Sequence, residues 1–237
     1  MAESVDAPAP VANPVPDTDP AYREAVVDLL GAIAYGEISA FERLAEDAKL
    51  APTLPDKVDL ATMASVELAK VHRLHDRIRS FGADPFDAMA PFSTPIDEFH
   101  GHTAPADWYE GLVKAYVGDG LANDFYREIA AYLDPATRDL VVSSMEEGTH
   151  AAFVVDRVRA GIVEDPRLGG RLALWGRRLM GEALTQAQRV AADRDALSAL
   201  LAGGVDRPGL DLASLGRMFT RLTERHMARM AELGLEA

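Results

Sequence analysis

Along almost the whole of this chain, from Pro20 to Leu233, apolar residues recur at steps of three and four, and no stretch alternates apolar with polar. That period stacks apolar side chains on one face of a helix, whereas a half-buried strand needs a period of two. Ala, Leu, Arg, Glu and Met, all good helix formers, recur throughout. The chain is therefore read as all-α.

Proline and glycine divide the pattern. Helices are expected over residues 20–49, 55–80, 107–133, 136–163, 168–194 and 212–233, with a loop marked by Gly203-Gly204 and Pro208-Gly209 before the last. The one long connection, residues 82–106, carries Pro85, Pro91, Pro95 and Pro105 and is read as a crossover with one short helix. A hairpin, a long crossover and a second hairpin give the order of a ferritin-like four-helix bundle, here with two additional C-terminal helices. Residues 1–18, with Pro8, Pro10, Pro14 and Pro16 among alanines, read as a disordered tail, and residues 19–237 as a single helical domain.

Burying an unpaired carboxylate is too costly to be incidental, so acids on the apolar stripes are the informative residues. The first helix reads Leu30, Ile33, Glu37, Phe41, Leu44, and the second Leu60, Met63, Glu67, Val71, Leu74, Ile78. Glu37 stands fifteen residues before Pro52 and Glu67 fifteen after it, so an antiparallel hairpin brings them to one level. The third helix reads Leu112, Tyr116, Asp119, Ala122, Tyr126, Ile129, and the fourth Leu140, Ser144, Glu147, Ala151, Val154, Val158. Asp119 and Glu147 lie 15 and 13 residues from Asp134 and meet in the same way. His150 completes a Glu-x-x-His step that sets its imidazole roughly 60° around the helix from Glu147. Carboxylate oxygens with imidazole nitrogen and open positions suit divalent iron. The alternative is a polar layer in which each acid pairs with a cation or a tyrosine, for which Lys70 is the one obvious inward partner.

The chain contains no cysteine, which excludes disulfides, thiolate zinc, iron–sulfur clusters and cysteine nucleophiles together. A net charge of -14 disfavours general nucleic-acid binding, and Arg171, Arg177 and Arg178 read as a solvated face. No apolar run approaches the roughly 18 residues of a membrane span. The opening Met-Ala-Glu-Ser-Val-Asp lacks the basic and apolar regions of a secretory signal. The expected location is cytoplasmic.

On these residues, over about positions 25 to 160, the chain resembles the tRNA-2-methylthio-N6-isopentenyladenosine hydroxylase (MiaE)-like family of the ferritin-like superfamily. That family places Glu on the first helix, Glu-x-x-His on the second, an acid on the third and Glu-x-x-His on the fourth. The resemblance implies that Glu37, Glu67, Asp119, Glu147 and His150 are metal ligands. The stretch Leu172 to Gln188, with Leu-Trp-Gly-Arg-Arg-Leu-Met-Gly-Glu, is similar to a signature of the MiaE-like branch. Two positions depart from the pattern: Lys70 stands where the second helix should carry His, and Asp119 where Glu is usual. His72 and His75, roughly 140° and 80° around the helix from Glu67, are read as flanking residues.

The resemblance implies an oxygen-activating non-haem iron hydroxylase, with one or two irons per chain and a small-molecule or modified-nucleoside substrate. Lys70 keeps a second reading open, a non-catalytic ferritin-like protein with a degenerate metal site and the ammonium as charge substitute for one ion. Iron storage in a cage suits the Pro-rich crossover poorly. Glu182, polar on the stripe Leu172, Trp175, Leu179, Gln186, is expected either to hydrogen-bond a metal ligand or to pair with Arg178. Tyr35, Tyr116 and Tyr126 read as core aromatics, and His100 and His102 as crossover residues. The reading allows a homodimer.

Overall fold

The computed structural model describes residues 19–146, 151–202 and 212–236, and all regular structure among them is helical. The tail assigned to residues 1–18, and the candidate ligands Glu147 and His150, lie outside the described residues. Helix α1 (Pro20–Asp47) opens under Asp19, whose carboxylate accepts from the Ala21 N–H, with Pro20 in the first turn where its missing donor costs nothing. A 3-10 turn (Ala48–Leu50) leads to α2 (Leu54–Ser80), capped by the Thr53 hydroxyl on the Asp56 N–H. The two are antiparallel: Leu44 and Ala48 share one core with Leu60 and Ala64, whereas Leu29, Leu30 and Ile33 share another with Leu74 and Ile78.

The crossover holds two short helices rather than the one expected, α3 (Pro85–Met89) and α4 (Ser93–His102), joined by a 3-10 turn. Its prolines are compatible with this because Pro85 and Pro95 fall in first turns. Helix α3 lies directly on α1 at Gly31, where a Cβ would stand 2.1 Å from the Ala88 carbonyl oxygen. Helix α5 (Trp108–Ala130), capped by Asp107, ends three residues before the expected limit. The fourth predicted helix is described as α6 (Pro135–Glu146) and α7 (Ala151–Glu164). Asp134 ties this hairpin to the first one. Its carboxylate accepts from Arg77 at 3.0 Å, from the Tyr22 hydroxyl at 3.1 Å and from the Thr137 hydroxyl at 2.6 Å.

Helix α8 (Arg167–Asp193) follows, then α9 (Asp195–Ala202), which the sequence reading missed, and α10 (Leu212–Glu232). Only Arg194 separates α8 from α9, and it forks onto Asp28 of α1 while Leu197 and Leu200 enter the second core. No helix among the described residues is long and apolar enough to cross a membrane.

The two cores are stacked along the bundle. On α1 one ends at Tyr35 and the other resumes at Phe41; on α2 the gap runs from Ala64 to Leu74; on α5 it falls between Leu121 and Phe125, just past Asp119. Glu37, Glu67 and Lys70 occupy that gap, and Asp119 lies near its edge. The charged layer is therefore a built interruption between two apolar clusters.

A carboxylate and lysine centre in the bundle

Glu37, Glu67 and Lys70 are all buried, Lys70 to 1% exposure. The Lys70 Nζ stands 2.6 Å from Glu67 Oε2 and 3.4 Å from Glu37 Oε2. The i,i+3 spacing on α2 puts the ammonium one turn beyond its own helix's carboxylate, on the face turned to α1. Burial works against the lysine's charge, but Glu37 and Glu67 outweigh it and hold the ammonium protonated beyond the ordinary lysine range. Glu37 is also raised, which for a carboxyl favours the neutral form. Burial, a hydrogen bond with Glu67 and repulsion from Glu67 and Asp119 raise its carboxyl well above the ordinary range, with Lys70 opposing in part. The shift pushes Glu37 toward its neutral form beside Glu67, where one ammonium stands against the pair.

Asp119 belongs to the same group without touching Lys70. It lines a cavity of about 300 Å³ together with Glu37, Glu67, Lys114, Tyr126 and Arg229. Its side chain is exposed to solvent while lining this cavity. The Asn123 amide donates to it at 3.0 Å. Burial and the charge of Glu67 push its carboxyl up to about 6, against Lys70, Asn123 and Arg229. Burial and the neighbouring carboxylates raise the Tyr126 phenol above its usual range, so it remains an O–H donor.

The structure brings Glu37, Glu67, Asp119 and Lys70 together, and takes Glu182 elsewhere. Glu182 accepts from Gln186 at 2.8 Å and lies 2.7 Å from His102 Nδ1; Arg178 donates to the His102 carbonyl instead of pairing with it. The expectation that Glu182 supports a metal ligand or pairs with Arg178 is corrected accordingly, because the two short helices of the crossover carry His102 up to α8. His72 is exposed, and His75 lies 3.1 Å from the Met89 sulfur, both outside the centre. Arg171 is bound by Asp107 and Glu110, so that stretch is not a free basic patch.

The sequence reading also undercounted inward cations. Lys114, 5% exposed, lines the same cavity, donates to the Thr103 carbonyl at 2.7 Å and lies over the Phe99 ring. Burial lowers its amine to about 8, with Asp47 opposing and Arg43 assisting. Beside it, burial and the charges of Lys114 and Arg43 push His100 down to about 3, so its imidazole is neutral. The signal for Lys114 was weak, since it sits two positions past Leu112, off the stripe used to find Asp119.

The described half of this centre does not fit a metal. A cation already lies between Glu37 and Glu67, and no group of three His, Asp or Glu side chains among the described residues is gathered to hold an ion. An all-helical bundle with a long crossover and a buried carboxylate layer at mid-height defines the class, a ferritin-like helical bundle. A family model described as a ferritin-like domain of actinomycetes matches residues 20–204, and the chain belongs to that family. No curated protein matches it.

Proposed function

We propose that this chain is a ferritin-like binding protein in which a lysine ammonium has taken the place of one metal ion, so that the bundle holds at most one. The carrying observation is Lys70, 2.6 and 3.4 Å from the carboxylates that a second ion would bridge. An ammonium and a divalent cation cannot share that space, and Lys70 is held in its charged form by the very groups the ion would need. Ferritin-like architecture is retained; two-metal chemistry is not.

A second reading is favoured by Asp119, which lines the cavity with its carboxyl raised to about 6 and, among the described residues, no lysine or arginine bonded to it. Asp119 with Glu147 and His150 makes a carboxylate and imidazole set suited to a single iron. Iron bound there would supply dioxygen chemistry of the kind used by the MiaE-like hydroxylases. This chain's own residues would hold the ion, balance Glu37 and Glu67 through Lys70, and keep the Tyr126 phenol protonated beside them. A cytoplasmic setting and a small-molecule or modified-nucleoside substrate accompany that reading.

Metal analysis per chain on protein purified under iron-replete conditions tests both. At most one ion is expected; two would overturn the lysine-substitution reading, one supports the iron reading, and none leaves the binding protein alone.

A further inference from the structure

A second cavity, of about 280 Å³, lies beside the first. Its walls are apolar side chains such as Leu29, Phe92, Leu121, Phe125, Met180 and Leu184. Each cavity is near the lower end of the roughly 300–1,000 Å³ usual for small-molecule sites. The two share walls at Ile96, Phe99, Gly118, Ala122 and Tyr126. Ala187 and Ala191 of α8, both exposed, border the apolar chamber and give it an outer rim.

Gly118 and Ala122, four residues apart on α5, face the junction. A Cβ built on Gly118 meets nothing within 4 Å. Glycine inside a helix costs about 0.5–1 kcal/mol relative to alanine, and here no neighbour requires it. What its missing side chain leaves is space where the chambers adjoin.

We infer that the two chambers form one binding site for an uncharged, mostly apolar molecule bearing a single hydroxyl, its hydrocarbon in the apolar chamber and its hydroxyl at Tyr126 and Asp119. A hydroxyl both accepts and donates, matching a phenol that donates and a carboxylate that accepts. The polar chamber discriminates against charged heads of either sign. Its cations are held by acids or carbonyls, Arg43 by Glu46, Lys114 by the Thr103 carbonyl beside Asp47, and Arg229 through one nitrogen by Asp124 and the Gly120 carbonyl, its other terminal nitrogen being unpartnered. An anionic head would therefore meet Asp119, Asp47 and the glutamate pair, and a cationic head Lys114 and Arg229. The inference rests on the cavities and not on metal occupancy, which is measured separately on the same samples.

The test is isothermal titration of the full chain with 1-octanol, octanoate and octylammonium. Saturable binding of one octanol per chain is expected, with the two ions about tenfold weaker or worse. Gly118→Leu should fill the junction and weaken octanol binding about tenfold while the helical signal is kept. If Gly118→Leu does not fold, Ala122→Met replaces it. Absence of saturable octanol binding, equal binding of all three heads, or wild-type affinity in a folded, blocked variant overturns the inference.

Discussion

Replacing Lys70 with Met tests the charge balance of the centre directly. In the wild type the Glu37 carboxyl is raised toward its neutral form and Lys70 is paired with Glu67, so Lys70→Met strands one buried negative charge. Keeping that charge would cost several kcal/mol, and the cheaper response is to bind a proton. An unfolded glutamate titrates near 4.3, and each pH unit above that costs about 1.36 kcal/mol to hold the group neutral. The loss is then capped at about 3.7 kcal/mol at pH 7 and about 1 kcal/mol at pH 5. At roughly 2–4 °C per kcal/mol for a chain of this size, melting should fall by about 7–15 °C at pH 7 and about 2–4 °C at pH 5. The wild-type lysine adds no pH dependence in this window, since its raised value lies far above it. Thermal melts followed by circular dichroism, with chelator present throughout, give both differences. An equal loss at the two pH values would refute the account of a carboxylate that takes up a proton in the variant, and no loss at either would show that the ammonium balances nothing.

Three further outcomes are expected. Gly31→Ala forces a Cβ against the Ala88 carbonyl and should cost about 1–3 kcal/mol or more, whereas Gly36→Ala, with the Tyr126 oxygen 3.5 Å away, should be tolerated; paired denaturant titrations decide this. Burial raises the Asp134 carboxyl, but hydrogen bonds from Thr137 and Tyr22 and the charge of Arg77 outweigh it and leave it lowered. A lowered carboxyl stabilises above its unfolded value and loses that contribution as pH falls through its folded one, so Asp134→Asn should weaken the protein at pH 7 and the gap should close in acid. Lys70→His restores a second Glu-x-x-His step, and on the iron reading the variant should bind about one more iron than the wild type; unchanged iron with a lower melting point would refute that gain.

Much of the fold was legible because the helices are amphipathic and their ends are signed by residues such as Asp19, Thr53 and Asp107. The level of Glu37, Glu67 and Asp119 was legible too, since counting from a turn fixes height in an antiparallel hairpin. What local pattern did not reveal was long-range pairing. The partners of Glu182 and Arg178 come from the crossover, whose path depends on α3 seating against Gly31. Helix α9 was missed because eight residues between Arg194 and the Gly203-Gly204 pair carry too little periodicity to separate from a loop. Lys114 was missed because a stripe drawn through Leu112 and Tyr116 passes beside it, although the cavity opens between stripes.

The same limit concealed why the C-terminal helix belongs to the domain. Asp124 and Glu128 of α5 are each 3% exposed, which would be untenable in a four-helix bundle alone. Helix α10 supplies their partners. Arg221 forks onto Glu128 at 2.6 and 3.0 Å, Arg225 adds a third bond at 3.1 Å, and Arg229 holds Asp124 while donating to the Gly120 carbonyl. Removing both partners of a buried carboxylate costs about 3–5 kcal/mol, mostly for the charge left behind, while replacing the whole group by neutral residues is nearly free. Arg221→Leu with Arg225→Leu should therefore be strongly destabilising, and adding Glu128→Gln should recover most of the loss. Denaturant melts of the double and triple variants measure the coupling. A triple variant no more stable than the double would mean that α10 is held by its apolar face, through Met218, Leu222 and Met230, and that the arginines are incidental.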